Sequence, residues 1–152
     1  MSIEYISSGP GKTVMCITFP PTPPESASDR QKIREYHQQI HESEGFYVGE
    51  RPVKSRPYIG SGITRHSAND EKAIAAAKFA VEASDHNKGE DCGGRLEFRK
   101  VVRVNIMRAA VFVYYITLQG SDQCFYEAKV LENIHHLTYQ LKMFRPAQHY
   151  KE

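Results

Sequence analysis

The sequence predicts an α+β fold in which one main helix packs on an antiparallel sheet of four to five strands. Two observations support this prediction. Small apolar residues recur at helical spacing between residues 72 and 85, and four strand-like segments follow one another between residues 95 and 144. Consecutive strands without intervening helices pair as an antiparallel meander, and the helix that precedes them covers one face.

Length and composition favour one soluble domain with an extension. The chain has 152 residues, of which 40% are hydrophobic and 25% are charged, as in ordinary globular proteins. Its 20 Lys and Arg are nearly balanced by 18 Asp and Glu, so we expect no nucleic-acid partner. Because the chain has neither a long apolar run nor a secretory signal, we expect no membrane partner and an intracellular location, cytoplasmic or nuclear.

Residues 1 to 58 are predicted to form an N-terminal extension. Residues 12 to 19 are β-branched and apolar and predict a short strand, which ends at the proline-rich spacer of residues 20 to 24. Ser28 and Gln31 have the spacing of a capping box, which predicts a polar helix over residues 29 to 43 that lies on the main body. Residues 44 to 62 are expected to be an extended connection.

The main helix is predicted over residues 72 to about 85, after capping residues between Ser67 and Asp70. Its apolar stripe consists of Ala73, Ile74, Ala77, Ala80 and Val81. Strands are predicted over residues 95 to 105, 111 to 118, 125 to 131 and 138 to 144. The first of them alternates apolar even positions with polar odd positions, as a half-buried strand does, with Lys100 as the exception.

Several of these segments resemble the plant cystatin family. Lys78-Phe79-Ala80-Val81 followed by His86-Asn87-Lys88 resembles the helix signature of that family. Further matches follow in the family's order: Leu96-Glu97-Phe98, Tyr114 to Leu118, Tyr126 to Val130, Gln140-Leu141 and Phe144-Arg145-Pro146. Glu42-Ser43-Glu44-Gly45-Phe46 resembles a cystatin-related plant group with an N-terminal extension. The resemblance implies a cystatin-like domain over residues 59 to 147, with a helix of five turns and a tail over residues 148 to 152.

The family resemblance also implies a binding site for papain-like cysteine proteases, formed by a glycine-containing trunk and two hairpin loops. Gly60 and Gly62 lie where the trunk is expected. Met107, Arg108, Ala109, Ala110 and Val111 stand where the family has Gln-Val-Val-Ala-Gly, and Ile134, His135 and His136 lie around the position of its Pro-Trp pair. Losing a tryptophan anchor costs about 2 kcal/mol or more, which is roughly thirtyfold in affinity. We also expect Met107 and Val111 to leave exposed apolar surface at the first loop.

These departures lead to three functional hypotheses. The first is a non-enzymatic protein-binding module related to cysteine protease inhibitors, with papain-type inhibition weakened or lost. The alternative is a functional inhibitor of papain-like proteases with altered loops. The second alternative is a structural subunit that binds through residues 1 to 58. In each case the expected partner is a protein, and the chain is a monomer or a strand-exchanged dimer.

No catalytic residue, metal site or cofactor is predicted. His37 and His41 share one face of the first predicted helix, but the sequence supplies no third metal ligand, and a solvated helix face is the favoured interpretation. Cys92 and Cys124 fall in predicted turns without a partner base, and the meander places them at one end of the sheet as possible neighbours.

Overall fold

The structure, a computed structural model, describes residues 2–7, 13–18, 26–52, 62–88 and 94–150; for the first two ranges and for residues 87 and 88 it describes the backbone alone. Two helices and seven strands lie in these ranges. The predicted proline-rich spacer, Gly60 and Cys92 lie outside them. Within the described residues, neither helix is long and apolar enough to cross a membrane.

The first two strands form a hairpin of their own. β1 (Ser2–Ser7) pairs antiparallel with β2 (Thr13–Thr18), with Ser2 opposite Thr18. The sequence predicted β2 but not β1. A turn signal was present, because Gly9-Pro10-Gly11 separates the two β-branched segments.

α1 (Ala27–Glu42) begins two residues earlier than predicted. Its N-cap is Ser26, whose hydroxyl accepts a 3.1 Å hydrogen bond from the Asp29 backbone N–H; the predicted cap, Ser28, lies inside the helix. The helix buries only Ile40 completely, in its last turn, while Ile33 and Tyr36 are half-buried. Most of its surface is therefore exposed, and its C-terminal end is the part that joins the main body.

The predicted antiparallel sheet is confirmed, and it has five strands in sequential order. They are β3 (Ile63–His66), β4 (Phe98–Arg108), β5 (Phe112–Gly120), β6 (Phe125–Asn133) and β7 (Thr138–Pro146). β3, which the sequence did not predict, has only four residues and pairs with the end of β4. Each neighbouring pair is antiparallel, so the sheet is a meander with an added edge strand.

Register shifts in β4 explain why Lys100 is exposed, although the alternation of the sequence placed it on the inner face. The pairing with β5 shifts between Phe98 and Lys100 and again between Val101 and Arg103. Each bulge adds a residue and reverses which side chains face the helix. Lys100 is consequently exposed, whereas Val101 and Val104 are buried.

α2 (Glu71–Lys88) covers the inner face of the sheet, as predicted, and extends three residues beyond the expected end. Its 18 residues make about five turns. The Asp70 carboxylate accepts hydrogen bonds from the backbone N–H groups of Lys72 and Ala73, at 2.9 and 3.3 Å. The small side chains of the stripe let the helix lie close to the sheet. They pack against a core to which every long strand contributes: Val104, Ile106, Ile116, Leu118, Ala128, Val130 and the half-buried Leu141.

Candidate functional site

The register brings the predicted contact segments to one end of the sheet. Gly62 precedes Ile63, which pairs with Met107 on β4. The next residue of β4, Arg108, pairs with Phe112, and Phe112 pairs in turn with Glu132 on β6, just before the β6–β7 turn. We call Gly62, residues 108–111 and residues 134–137 the hairpin end. Gly62 has a φ of 70°, a conformation that glycine adopts readily.

The β4–β5 loop presents small and charged side chains instead of the expected apolar ones. Arg108, Ala109 and Ala110 are exposed, and the Ala109 N–H donates to the carbonyl oxygen of Val111 at 3.2 Å. Met107 and Val111 are half-buried and pack against a cluster on the outer face of the sheet. The expectation of exposed apolar surface at these two residues was wrong, because another segment of the chain covers the face on which they lie.

The β6–β7 turn exposes the largest apolar side chains of the hairpin end. The Asn133 side-chain oxygen accepts from the backbone N–H groups of His135 and His136, at 3.0 and 3.3 Å, which shapes the turn. Both histidines are exposed; Ile134 is 37% and Leu137 78% exposed. Leu137 has a φ of 52°, in the left-handed region that residues other than glycine rarely adopt. Leu137 was not among the residues predicted from the sequence, although an apolar residue between two strand segments was a usable signal.

The outer face is covered by residues 43–48, which we call the strap. Phe46, only 1% exposed, packs on Val113 and meets the ring of Tyr115 edge-on, with ring centroids 5.7 Å apart. Gly45 has a φ of 87°, and a Cβ there would lie 2.8 Å from the Tyr115 ring. The strap crosses the sheet at a point where only glycine fits over that ring.

Polar side chains of β4 hold the strap backbone. The Asn105 side-chain amide donates to the carbonyl oxygen of Gly45 at 2.9 Å, and the Arg103 guanidinium donates to that of Phe46 at 3.3 Å. The guanidinium of Arg103 also lies over the rings of Tyr47 and Tyr150. Asn105 is fully buried, so its hydrogen bond to the strap satisfies a donor that burial would otherwise leave unpaired.

A charged cluster ties the strap to the end of the chain. The fully buried Glu127 carboxylate accepts two bonds from Arg145, both 3.1 Å, and bonds from the backbone N–H groups of Gln148 and His149, at 3.1 and 2.7 Å. Arg145 also pairs with Glu44 of the strap, and the His149 ring nitrogen Nε2 lies 3.2 Å from the Glu44 carboxylate. The hydrogen bonds from Arg145 and then His149 lower the pKa of Glu44.

A second buried carboxylate lies on the inner face, next to the hairpin end. The hydroxyl of Tyr114 donates to Glu132 at 2.5 Å, and burial, followed by this bond, raises the pKa of the Tyr114 phenol. Tyr114 is 1% and Glu132 7% exposed. Because each satisfies the other away from solvent, the pair stabilises the sheet where the hairpin end begins.

His37, His41 and Cys124 do not form a metal site with other described residues. His37 and His41 are exposed on α1, and the described residues contain no group of three or more His, Cys, Asp or Glu placed to hold a metal ion. Cys124 is an exposed free cysteine in the β5–β6 turn, at the opposite end of the sheet from the hairpin end. Its expected neighbour, Cys92, lies outside the described residues.

No protein-family model matches the chain, and no curated protein matches it. The support for a function therefore comes from the chain's own residues and their geometry.

Proposed function

We propose that the chain is a non-enzymatic, cystatin-fold protein-binding module related to cysteine protease inhibitors. Its hairpin end binds a protein partner, and its papain-type inhibition is weakened or lost. The element order supports this proposal, because a helix of about five turns precedes four long sequential strands, as the family resemblance implies. Likewise, the candidate contact residues in the described part of the chain come together at one end.

The observation that carries the proposal is the exposure of Leu137 and Ile134. The large hydrophobic side chains that stand exposed among the described residues are Tyr47, Ile134 and Leu137, so two of the three lie in one four-residue turn. Leu137 also occupies a left-handed backbone conformation that costs a residue with a Cβ about 1 kcal/mol or more. A strained and exposed leucine contributes little to the fold, whereas it suits an anchor for a partner.

Weakened inhibition follows from the side chains at the two loops. His135 lies where the family places a large aromatic anchor, and it offers less area for a contact. Arg108 adds a cation at the first loop, which a protease cleft would have to pair or leave hydrated. Both changes disfavour the contacts that the family uses.

One observation favours the alternative of a functional inhibitor. The apex of the first loop exposes only the short side chains of Ala109 and Ala110, because Val111 turns toward the outer face. A narrow apex can enter a cleft that a branched side chain would block. Under this alternative, an altered but functional wedge binds the protease.

The first experiment separates the two candidates. We would titrate the purified full chain into papain and measure residual activity at micromolar inhibitor. Under the preferred proposal, inhibition is absent or at least about thirtyfold weaker than that of an inhibitor with the family loops. Tight inhibition that is lost when Ala109 and Ala110 are replaced by aspartate would establish the alternative instead.

The second experiment locates the binding surface. A photo-crosslinking amino acid replaces Ala110 in one protein and Cys124 in a matched protein, since both positions are exposed but lie at opposite ends of the sheet. We expect cross-links to one protein from position 110 and not from position 124. Equal cross-linking from both positions would contradict binding at the hairpin end.

A third variant separates binding from stability. Leu137→Gly relieves the positive φ and should raise the free energy of unfolding by about 1 kcal/mol, while it removes the proposed anchor. We expect a more stable protein with a weaker cross-linked complex, judged with the photo-crosslinker placed at Ala110. A variant that is more stable but binds equally well would exclude Leu137 as an anchor.

A further inference from the structure

The hairpin end carries positive charge and no exposed carboxylate. Arg108 in the hairpin end and Arg65 in the adjacent β3 are exposed, and residues 62–66, 107–112 and 133–138 contain no Asp or Glu. The nearest carboxylate by register is Glu132, which is 7% exposed and bonded to Tyr114. The hairpin end and β3 therefore present two exposed arginines and no carboxylate.

The guanidinium of Arg108 is available to a partner. It lies over the ring of Phe112, 5.8 Å from the ring centroid, and within the described residues it forms no salt bridge. Stacking on the ring orients the side chain while leaving its donors exposed. Arginine in this position can bind a carboxylate with two parallel hydrogen bonds.

From this pattern we propose that the partner of the hairpin end is an acidic protein segment that combines carboxylates with apolar side chains. This inference rests on the proposed function. Leu137 and Ile134 contact the apolar residues, and Arg108 pairs with a carboxylate, with Arg65 adding to the positive field. Unpaired cations at the edge of an apolar contact reject basic partners and accelerate association with acidic ones.

The small apolar area favours a protein over a lipid surface. Two aliphatic side chains in one turn are far fewer than the apolar face of a membrane-bound helix, and the loop of β4 adds only two alanines. A protein segment can supply complementary carboxylates at fixed positions, which suits an arginine held by stacking.

The test uses a random peptide library displayed on phage and the full chain as bait. Selected peptides are synthesised in their original form and with each Asp and Glu replaced by Asn and Gln, and their affinities are measured in about 0.05 and about 0.5 M NaCl. The variants are Leu137→Ser, Arg108→Glu and, as a matched charge reversal at the far end of β4, Lys100→Glu. We expect the selected peptides to combine Asp or Glu with apolar residues. Their affinity should fall roughly tenfold when the carboxylates are replaced by amides, in high salt, or when the bait carries Arg108→Glu. It should not change when the bait carries Lys100→Glu.

Each other outcome is decisive. Peptides that require Leu137 but show no excess of Asp and Glu, and that bind Arg108→Glu normally, would overturn this inference while leaving the proposed function intact. Failure to select any Leu137-dependent peptide would overturn both. Sedimentation of the full chain with phosphatidylserine vesicles but not with phosphatidylcholine vesicles, lost in Arg108→Glu, would replace the acidic segment with an anionic lipid surface.

Discussion

Phe46→Ala tests whether the strap is part of the folded unit. Removing a buried phenylalanine side chain costs about 2 to 3 kcal/mol in transfer free energy. The edge-on contact with Tyr115 adds about 1 kcal/mol, and a cavity on the outer face adds to the loss. We therefore expect the free energy of unfolding to fall by about 3 to 5 kcal/mol.

Urea denaturation followed by far-UV circular dichroism measures this loss. With a typical slope of about 2 kcal/mol/M, the midpoint should fall by about 2 M. Tyr47→Ala is the matched control, because Tyr47 is the next residue in the strap, is 42% exposed and lies with its ring against the guanidinium of Arg103. Its expected cost is about 0.5 to 1 kcal/mol.

A loss below about 1 kcal/mol for Phe46→Ala, or the same loss in both variants, would refute the packing of Phe46 on the sheet. Hydrogen exchange supplies a second readout that does not depend on global unfolding. The amides of the strap that donate within the fold, including that of Phe46 itself, should exchange faster in Phe46→Ala than in Tyr47→Ala.

Three further predictions concern the strap and the far end of the sheet. Gly45→Ala should cost about 2 to 4 kcal/mol in thermal or urea unfolding, because its Cβ would meet a tyrosine ring at 2.8 Å and its φ is positive; Gly49→Ala, at an ordinary φ, should cost far less. Glu127→Ala should cost about 3 to 5 kcal/mol and Glu127→Gln less, since the glutamine keeps one acceptor oxygen; equal losses would contradict the assigned hydrogen bonds. Tyr126 donates to Asp122 at 2.5 Å, which raises the pKa of Tyr126 to about 12 and lowers that of Asp122. The stability gained from the Tyr126 hydroxyl is complete below its ordinary pKa of about 10 and is lost between about 10 and 12, and the Asp122 contribution is lost as pH falls below about 4. The stability difference between the wild type and Tyr126→Phe, measured by urea unfolding across pH, should therefore be largest near neutrality and narrow at both extremes.

The inner half of the fold was predictable because its signals are local. The alanine stripe, the cap at Asp70 and the alternating strands each involve residues close in sequence, and they specify α2 and the four long strands. β3 was missed because four residues are too few to show a period. The position of the strand bulges also escaped prediction, although Lys100 on an apolar face was a sign of one.

The outer face was not predictable, because its contacts join distant parts of the chain. Alternation assigned the polar odd positions of β4 to a solvated face, yet Asn105 is buried, as are Thr117 of β5 and Glu127 of β6. Asn105 donates to the strap, 60 residues earlier in the chain, and Glu127 accepts from the segment that follows β7. The pattern within one strand indicates which residues alternate in burial. It does not indicate which distant segment of the chain covers the second face of the sheet.

Closure of both faces restricts, in the described part of the chain, the surface that is open to the partner we propose. α2 occupies the inner face, and the strap with residues 148–150 occupies much of the outer face. Of the exposed large hydrophobics in the described part of the chain, Tyr47 lies against Arg103, whereas Ile134 and Leu137 lie in the β6–β7 turn of the hairpin end. A fragment of residues 59–152 is therefore a poor test of the hairpin end, because it removes Phe46 and uncovers Val113 and Tyr115. Loss of binding in that fragment would reflect a disrupted sheet, whereas loss of binding in the full-length Leu137→Gly variant, which should be more stable, isolates the contact itself.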